Sequence, residues 1–168
     1  MAFQKEMQTF PEAPGGESRV WDLLSQVMDP EIPALNVIEM GIVRRVDVEA
    51  SGLTVTITPT YSGCPAMDMI SREIVQALRQ AGYAQVKIKT TYAPPWTSDW
   101  LTSEARRKLV ESGIAPPPPV GAPEDLPVAC PYCAATETEL RSFFGCTACK
   151  SMHFCNACRQ PFESFKSI

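Results

Sequence analysis

The chain has 168 residues, 45% apolar and 20% charged, ordinary globular figures that exclude wholesale disorder and a coiled coil. That length suffices for one modest domain and a smaller appendage, not for two full-sized cores. Its 15 basic and 19 acidic residues give a net charge of −4 with no run of Lys or Arg, so the cationic footprint of a nucleic-acid binder is missing.

Apolar runs such as Leu53 to Ile57 are interrupted by threonine and fall far short of the roughly 20 residues of a membrane span, so no membrane partner is expected. Met1 to Pro14 has neither an apolar h-region nor a small-residue cleavage site, which makes the cytoplasm the expected compartment. Residues 1–17 read as a flexible leader without periodicity.

From Ser18, the spacing of Val20, Leu23, Leu24 and Val27 predicts a first helix, stopped by Asp29-Pro30. Residues 42–48 and 53–58 are β-branched and largely alternating, with Ala50-Ser51-Gly52 between them as a hairpin turn. A second helix is expected from Pro65 to Ala81, burying Met67, Ile70, Ile74, Ala77, Leu78 and Ala81, with Gly82 as its left-handed terminator. Residues 84–92 supply a third strand, reached by a right-handed crossover. A third helix is expected over Trp100 to Ser112. These elements predict an α+β domain over residues 18–114, a three-stranded sheet with helices. The proline cluster from Pro116 to Pro123 marks residues 115–127 as an extended linker separating this domain from a second module, 128–168.

Six of the seven cysteines fall in that second module, as three CxxC pairs. Two such knuckles together place four thiolates around one Zn²⁺, a closed structural site. Residues 137–144 contain no Gly, Pro, Asn or Asp and should run unbroken until Gly145 turns the chain, with Lys150 to Phe154 as the returning strand. That hairpin brings Cys130 and Cys133 beside Cys155 and Cys158. It leaves Cys146 and Cys149 at the far tip, roughly 20 Å from the metal at about 3.3 Å per strand residue. The module is therefore expected to be a zinc ribbon, with zinc holding structure, since four thiolates leave no position for a reacting water. Cys146 and Cys149 read either as thiols for redox or metal transfer, or as partly buried turn cysteines. His153, the single histidine, reads as a hairpin residue; one histidine also excludes a His-rich di-iron site or a nucleophile–base–orienter triad.

Cys64 stands alone in Tyr61-Ser62-Gly63-Cys64-Pro65, between a strand and a helix. With Pro65 at the first helical position, Cys64 is expected at the N-cap, its thiol acidified by the helix terminus and able to hold a soft metal or cluster. The alternative is a small buried cysteine closing the strand. Asp29 and Glu31, in Asp29-Pro30-Glu31-Ile32-Pro33, either hold their own turn or meet the Cys64 loop across the sheet end. Trp96 and Trp100 are candidates for a partner-docking surface, or for core packing.

The run Asp29-Pro30-Glu31-Ile32-Pro33, Asn36, Gly41-Ile42-Val43 and Thr58-Pro59-Thr60-Tyr61-Ser62-Gly63-Cys64-Pro65 resembles the MIP18-type domain linked to iron–sulfur cluster assembly. Pro94-Pro95-Trp96-Thr97-Ser98-Asp99-Trp100, Thr147-Ala148-Cys149-Lys150, the Cys155/Cys158 pair, Pro161-Phe162 and Phe165-Lys166 are more specific. Together they resemble the D component of the phenylacetyl-CoA epoxidase (ring-1,2-epoxidase) systems of aerobic phenylacetate catabolism.

The resemblance implies an accessory maturation protein rather than an enzyme. It would work on an oxygenase with a di-iron subunit and a reductase carrying flavin and an iron–sulfur cluster. Cys64, Asp29, Glu31 and Cys149 are then the candidates for transient handling of iron or a cluster. In that family a small serine-like residue stands at the position of Cys146 and an aromatic at that of His153, which favours Cys149 as the tip thiol. The residue census agrees, with no cofactor-binding glycine fingerprint and no Glu-x-x-His pairs. The alternative is a docking subunit carrying only structural zinc. A homodimer is left open.

Overall fold

A computed structural model describes residues 16–49, 52–61, 63–123 and 126–168. Nearly all of the expected leader, together with the turn residues Ala50 and Ser51, lies outside the described residues.

The first helix, α1, covers Glu17–Leu24 and buries Val20 and Leu24. It ends at Ser25, before Asp29-Pro30, because Val27 leaves the helix to hydrogen-bond with Val37 (3.0 Å). The loop that follows is closed by a bridge between Met28 and Asn36. Asn36 Oδ1 accepts the amides of Ile38 (3.0 Å) and Glu39 (2.9 Å), a local turn typical of asparagine.

Strands β1 (Val43–Glu49) and β2 (Gly52–Ile57) pair antiparallel, with Val46 opposite Val55. Helix α2 (Ala66–Gln80) crosses to β3 (Val86–Thr90), which joins β2 in parallel with Ile88 beside Val55. The result is the expected three-stranded sheet, in the order β1-β2-β3. Ile70, Ile74 and Leu78, at helical spacing, are fully buried against it. Gly41 has φ +67°, and a Cβ there would lie 2.9 Å from Trp100 Cβ, so only glycine lets the β1 approach pass Trp100.

The third helix, α3, begins later than expected, at Ser103–Glu111. Thr102 is extended and its hydroxyl accepts the Ala105 amide at 3.0 Å, making it the N-cap; Ser98–Trp100 form a separate 3-10 turn.

The second module contains more sheet than a hairpin. Strands β4 (Ile114–Ala115), β5 (Thr138–Ser142), β6 (Lys150–Cys155) and β7 (Pro161–Phe165) form a sheet of order β4-β7-β6-β5. The sequence pattern does not reveal β4 or β7, since β4 is two residues long and β7 opens on a proline, which suits a strand start. β4 belongs to the chain leaving α3 yet pairs in parallel with β7, so the two modules share a sheet edge.

The proline segment does not space the modules apart. The Pro117 carbonyl accepts from Arg106 at 2.7 Å, and the Val120 amide donates to Asp99 at 3.1 Å, tying the segment to α3 and the turn before it. Phe165 and Cys149, both from the ribbon, are buried in the same apolar cluster as Leu24, Ile42 and Ile70. Burying Phe165 contributes about 2–3 kcal/mol to that seam. Among the described residues no helix is long and apolar enough to cross a membrane.

Candidate metal centres

The ribbon knuckles are built alike. Cys130-Pro131-Tyr132-Cys133 is followed by Ala134 at φ +61°, and Cys155-Asn156-Ala157-Cys158 by Arg159 at φ +63°. In each, the residue after the second cysteine donates its amide to the first cysteine's carbonyl at 2.9 Å. Two equivalent loops thus present four sulfurs, all within 4.8 Å of one another. The Cys130–Cys158 and Cys133–Cys155 separations are 3.7 and 3.6 Å. A tetrahedron with Zn–S of about 2.3 Å has edges of about 3.8 Å, so these residues fit Zn²⁺. His153 is not among them: its ring stacks on Phe162 at 5.5 Å and its Nε2 lies 3.0 Å from Ser151 Oγ.

The far end of the ribbon is not a free tip. Cys146 stays exposed, but Cys149 is buried in the first module. A recess there is lined by Asp29, Glu31, Thr60, Cys64, Cys149 and Phe165, with about 10 Å³ of free space, room for roughly one water. Asp29 and Glu31 arrive on the loop after α1, Thr60 and Cys64 on the loop between β2 and α2, and Cys149 on the residue before β6. Asp29 Oδ1 accepts the amides of Glu31 (2.7 Å) and Ile32 (2.8 Å), so the turn holds its own backbone and also faces Cys64. Cys149 Sγ lies 3.9 Å from Glu31 Oε2 and 3.1 Å from Thr147 Oγ1. Lys150 and Glu163, paired at 2.7 Å, clamp the base of this turn, and Glu163 also accepts the Cys146 amide at 2.7 Å.

Three expectations need correction. Cys64 is not the N-cap: Pro65 occupies that position, with αR angles, and Cys64 precedes it. Nor is its thiol acidified. Burial pushes it up, outweighing the Ala66 amide and the Thr60 hydroxyl, and the Glu31 and Asp29 carboxylates push the same way. Trp96 is no docking surface. It is 4% exposed, donates its indole N–H to the Met40 carbonyl at 2.9 Å and packs on Phe165 with ring centroids 6.1 Å apart. Trp100 is half-buried under the Arg44 guanidinium, 3.6 Å from its ring centroid.

The electrostatics of the recess follow from burial. Asp29 is raised by desolvation against its two amide bonds and Lys150. Glu31 is raised by desolvation and then by Asp29. Cys149 is raised by burial, opposed by Thr147. Two thiols and two carboxyls that are reluctant to ionise alone would together stabilise an entering cation, with protons leaving as it binds. Among the described residues only the ribbon sulfurs are packed within 4.8 Å as a set of three or more, so the recess groups stand further apart than a closed site requires. Thr60, Tyr61 and Thr147, which touch the thiols, escape a reading of the sequence alone. Each lies within a motif segment beside its cysteine, and that proximity is the available signal.

The fold and its two cysteine sites define a class: an iron–sulfur assembly-type α+β domain joined to a zinc ribbon. Residues 17–93 match the family described as iron-sulfur cluster assembly protein, and residues 115–166 match the PaaD zinc beta ribbon domain. A protein of Escherichia coli (strain K12), named as the D component of a "Putative 1,2-phenylacetyl-CoA epoxidase", is 44% identical over 93% of this chain and 96% of its own. The chain belongs to that family of epoxidase D components. An Fe-S protein maturation auxiliary factor of Porphyromonas gingivalis is 39% identical over 55% of this chain and 90% of its own length. Among solved structures, a DUF59 domain from Bacillus anthracis matches the fold with TM-score 0.52 at 23% identity, over 55% of this chain and 90% of that one.

Proposed function

We propose that the protein is an accessory maturation factor of a phenylacetyl-CoA epoxidase-type oxygenase, acting in the cytoplasm in phenylacetate catabolism. It would carry iron or an iron–sulfur unit transiently to the oxygenase or its reductase and take no part in the epoxidation. The observation that carries this reading is the convergence of Cys64 and Cys149, from different modules, with Asp29 and Glu31 in one recess.

Iron or a cluster is cargo here, and zinc a fixed part. The ribbon sulfurs hold Zn²⁺ and so anchor the Cys155 end of β6; the strand carries Cys149 at its other end, where packing of Phe165 sets it into the recess. Cys64 and Cys149 supply soft ligands, Glu31 and Asp29 supply charge, and the seam between modules is where a client can reach them. Incomplete closure suits a site that must release what it binds.

The test is maturation in cells. Oxygenase co-produced with Cys64→Ala or Cys149→Ala protein should hold less iron and turn over more slowly than with wild type, at equal amounts of folded accessory protein. Full metallation with both variants would contradict the carrier role and leave a docking subunit with structural zinc alone.

A further inference from the structure

The outer face of the three-stranded sheet, whose lining shares no residue with the cysteine sites, carries a recess of about 550 Å³, within the range of small-molecule sites. Its walls come from all three strands and the loop beyond: Arg44 and Arg45 of β1, Thr56 and Thr58 of β2 and its end, and Lys89 and Thr91 at β3.

The register explains why these residues meet. Arg45 stands opposite Thr56, which stands beside Lys89, so one cation from each edge strand flanks the central threonine row. The ladder is irregular between Val43 and Arg45, and Arg44 falls there, its guanidinium carbon 3.6 Å from the Trp100 ring centroid. Asp47 and Glu49 also line the recess. Asp47 pairs with Arg45 at 2.6 Å, whereas no ion pair among the described residues engages Arg44 or Lys89.

The second observation is independent of charge. Thr58 is 1% exposed, and its Oγ1 has no hydrogen-bond partner among the described residues. A buried hydroxyl left unpaired is destabilising, so an acceptor reached by a turn of the Thr58 side chain would recover that cost. A donor hydroxyl, a guanidinium held by stacking and an ammonium around one recess call for an oxyanion approached from several directions. A planar carboxylate is satisfied by one guanidinium fork; a phosphoryl group has acceptors for all three.

We propose that this face is a binding site for a small phosphorylated ligand, its phosphoryl group held by Arg44, Lys89 and the Thr58 hydroxyl. The site is separate from the metal-handling recess and does not depend on that function.

The test is NMR titration of the zinc-loaded full chain with inorganic phosphate, pyrophosphate and acetate at constant ionic strength. Saturable shifts at Thr58, Lys89 and Arg44 with phosphate or pyrophosphate are expected, and acetate should bind at least about tenfold more weakly. Lys89→Gln and Thr58→Val should each weaken phosphate binding about tenfold, the loss of one charged hydrogen bond. Thr58→Val should also leave the unliganded fold as stable as wild type or more so, because no bond is removed. Shifts that do not saturate, acetate binding as tightly as phosphate, or unchanged affinity in both variants would overturn the proposal.

Discussion

Cys149 Sγ stands 3.9 Å from Glu31 Oε2, although the two residues are 118 positions apart and belong to different modules. Neither module alone completes the recess: the first supplies Cys64, Asp29 and Glu31, the ribbon supplies Cys149. A zinc-bound ribbon that merely hung from a linker could not place a thiol there. The buried seam around Phe165 and Trp96 is what makes the placement reproducible.

That seam can be broken by one side chain. Trp96→Ala removes the contact with Phe165 and the bond to the Met40 carbonyl, and should cost about 3–5 kcal/mol. Denaturant unfolding followed at separate ribbon and first-module probes should show one shared transition in wild type. In the variant, the ribbon probes should report Cys149 exposed to thiol reagents at lower denaturant.

Zinc removal should propagate. Chelation, or Cys155→Ser, takes away about 10–16 kcal/mol of apparent binding energy from a module with a small apolar cluster of its own. Because Phe165 and Cys149 also belong to the first module's core, thermal unfolding of that module should fall as well. Unchanged melting of residues 17–93 after chelation would show that the modules are energetically independent.

Acid should loosen the same turn. Glu163 feels desolvation, which raises it, but Lys150 and the Cys146 amide together hold its carboxyl below the ordinary 4.5. A lowered folded value means that the contribution is present above the unfolded value and lost as pH falls through the folded one. Glu163→Gln should therefore remove stability near neutrality, about 3 kcal/mol for leaving the buried Lys150 uncompensated. It should also flatten the acid limb of stability below about pH 4.5. Equal acid limbs in the two proteins would exclude this pair as its source.

Much of the first module is legible in the sequence because its signals are local. Ile70, Ile74 and Leu78 recur at helical spacing, Gly82 follows the helix, and the β-branched runs around Val46 and Val55 alternate. The zinc ligands are legible for the same reason, since CxxC spacing and one unbroken strand fix which pairs meet. Cys149 is not. Strand rise along the hairpin gives its distance from zinc, but only packing of Phe165 into the other module says what lies at that end. Trp96 is equally opaque, as a tryptophan among prolines reads as surface or core until Met40 and Phe165 are seen to cover it. Spacing puts Cys64 at the cap because proline usually occupies the first helical position, whereas here Pro65 itself stands at the cap, and it misjudges the thiol's acidity because burial outweighs the Ala66 amide and the Thr60 hydroxyl.

The central claim is that Cys64 and Cys149 act as one site. Its most direct test is a double-mutant cycle of anaerobic Fe²⁺ affinity on the zinc-loaded chain, using Cys64→Ser, Cys149→Ser and both together. The account predicts that each single variant loses most of the affinity, that the double variant is scarcely weaker than either, and that zinc content is unchanged throughout. Independent, additive losses, or iron bound equally by all four proteins, would contradict it.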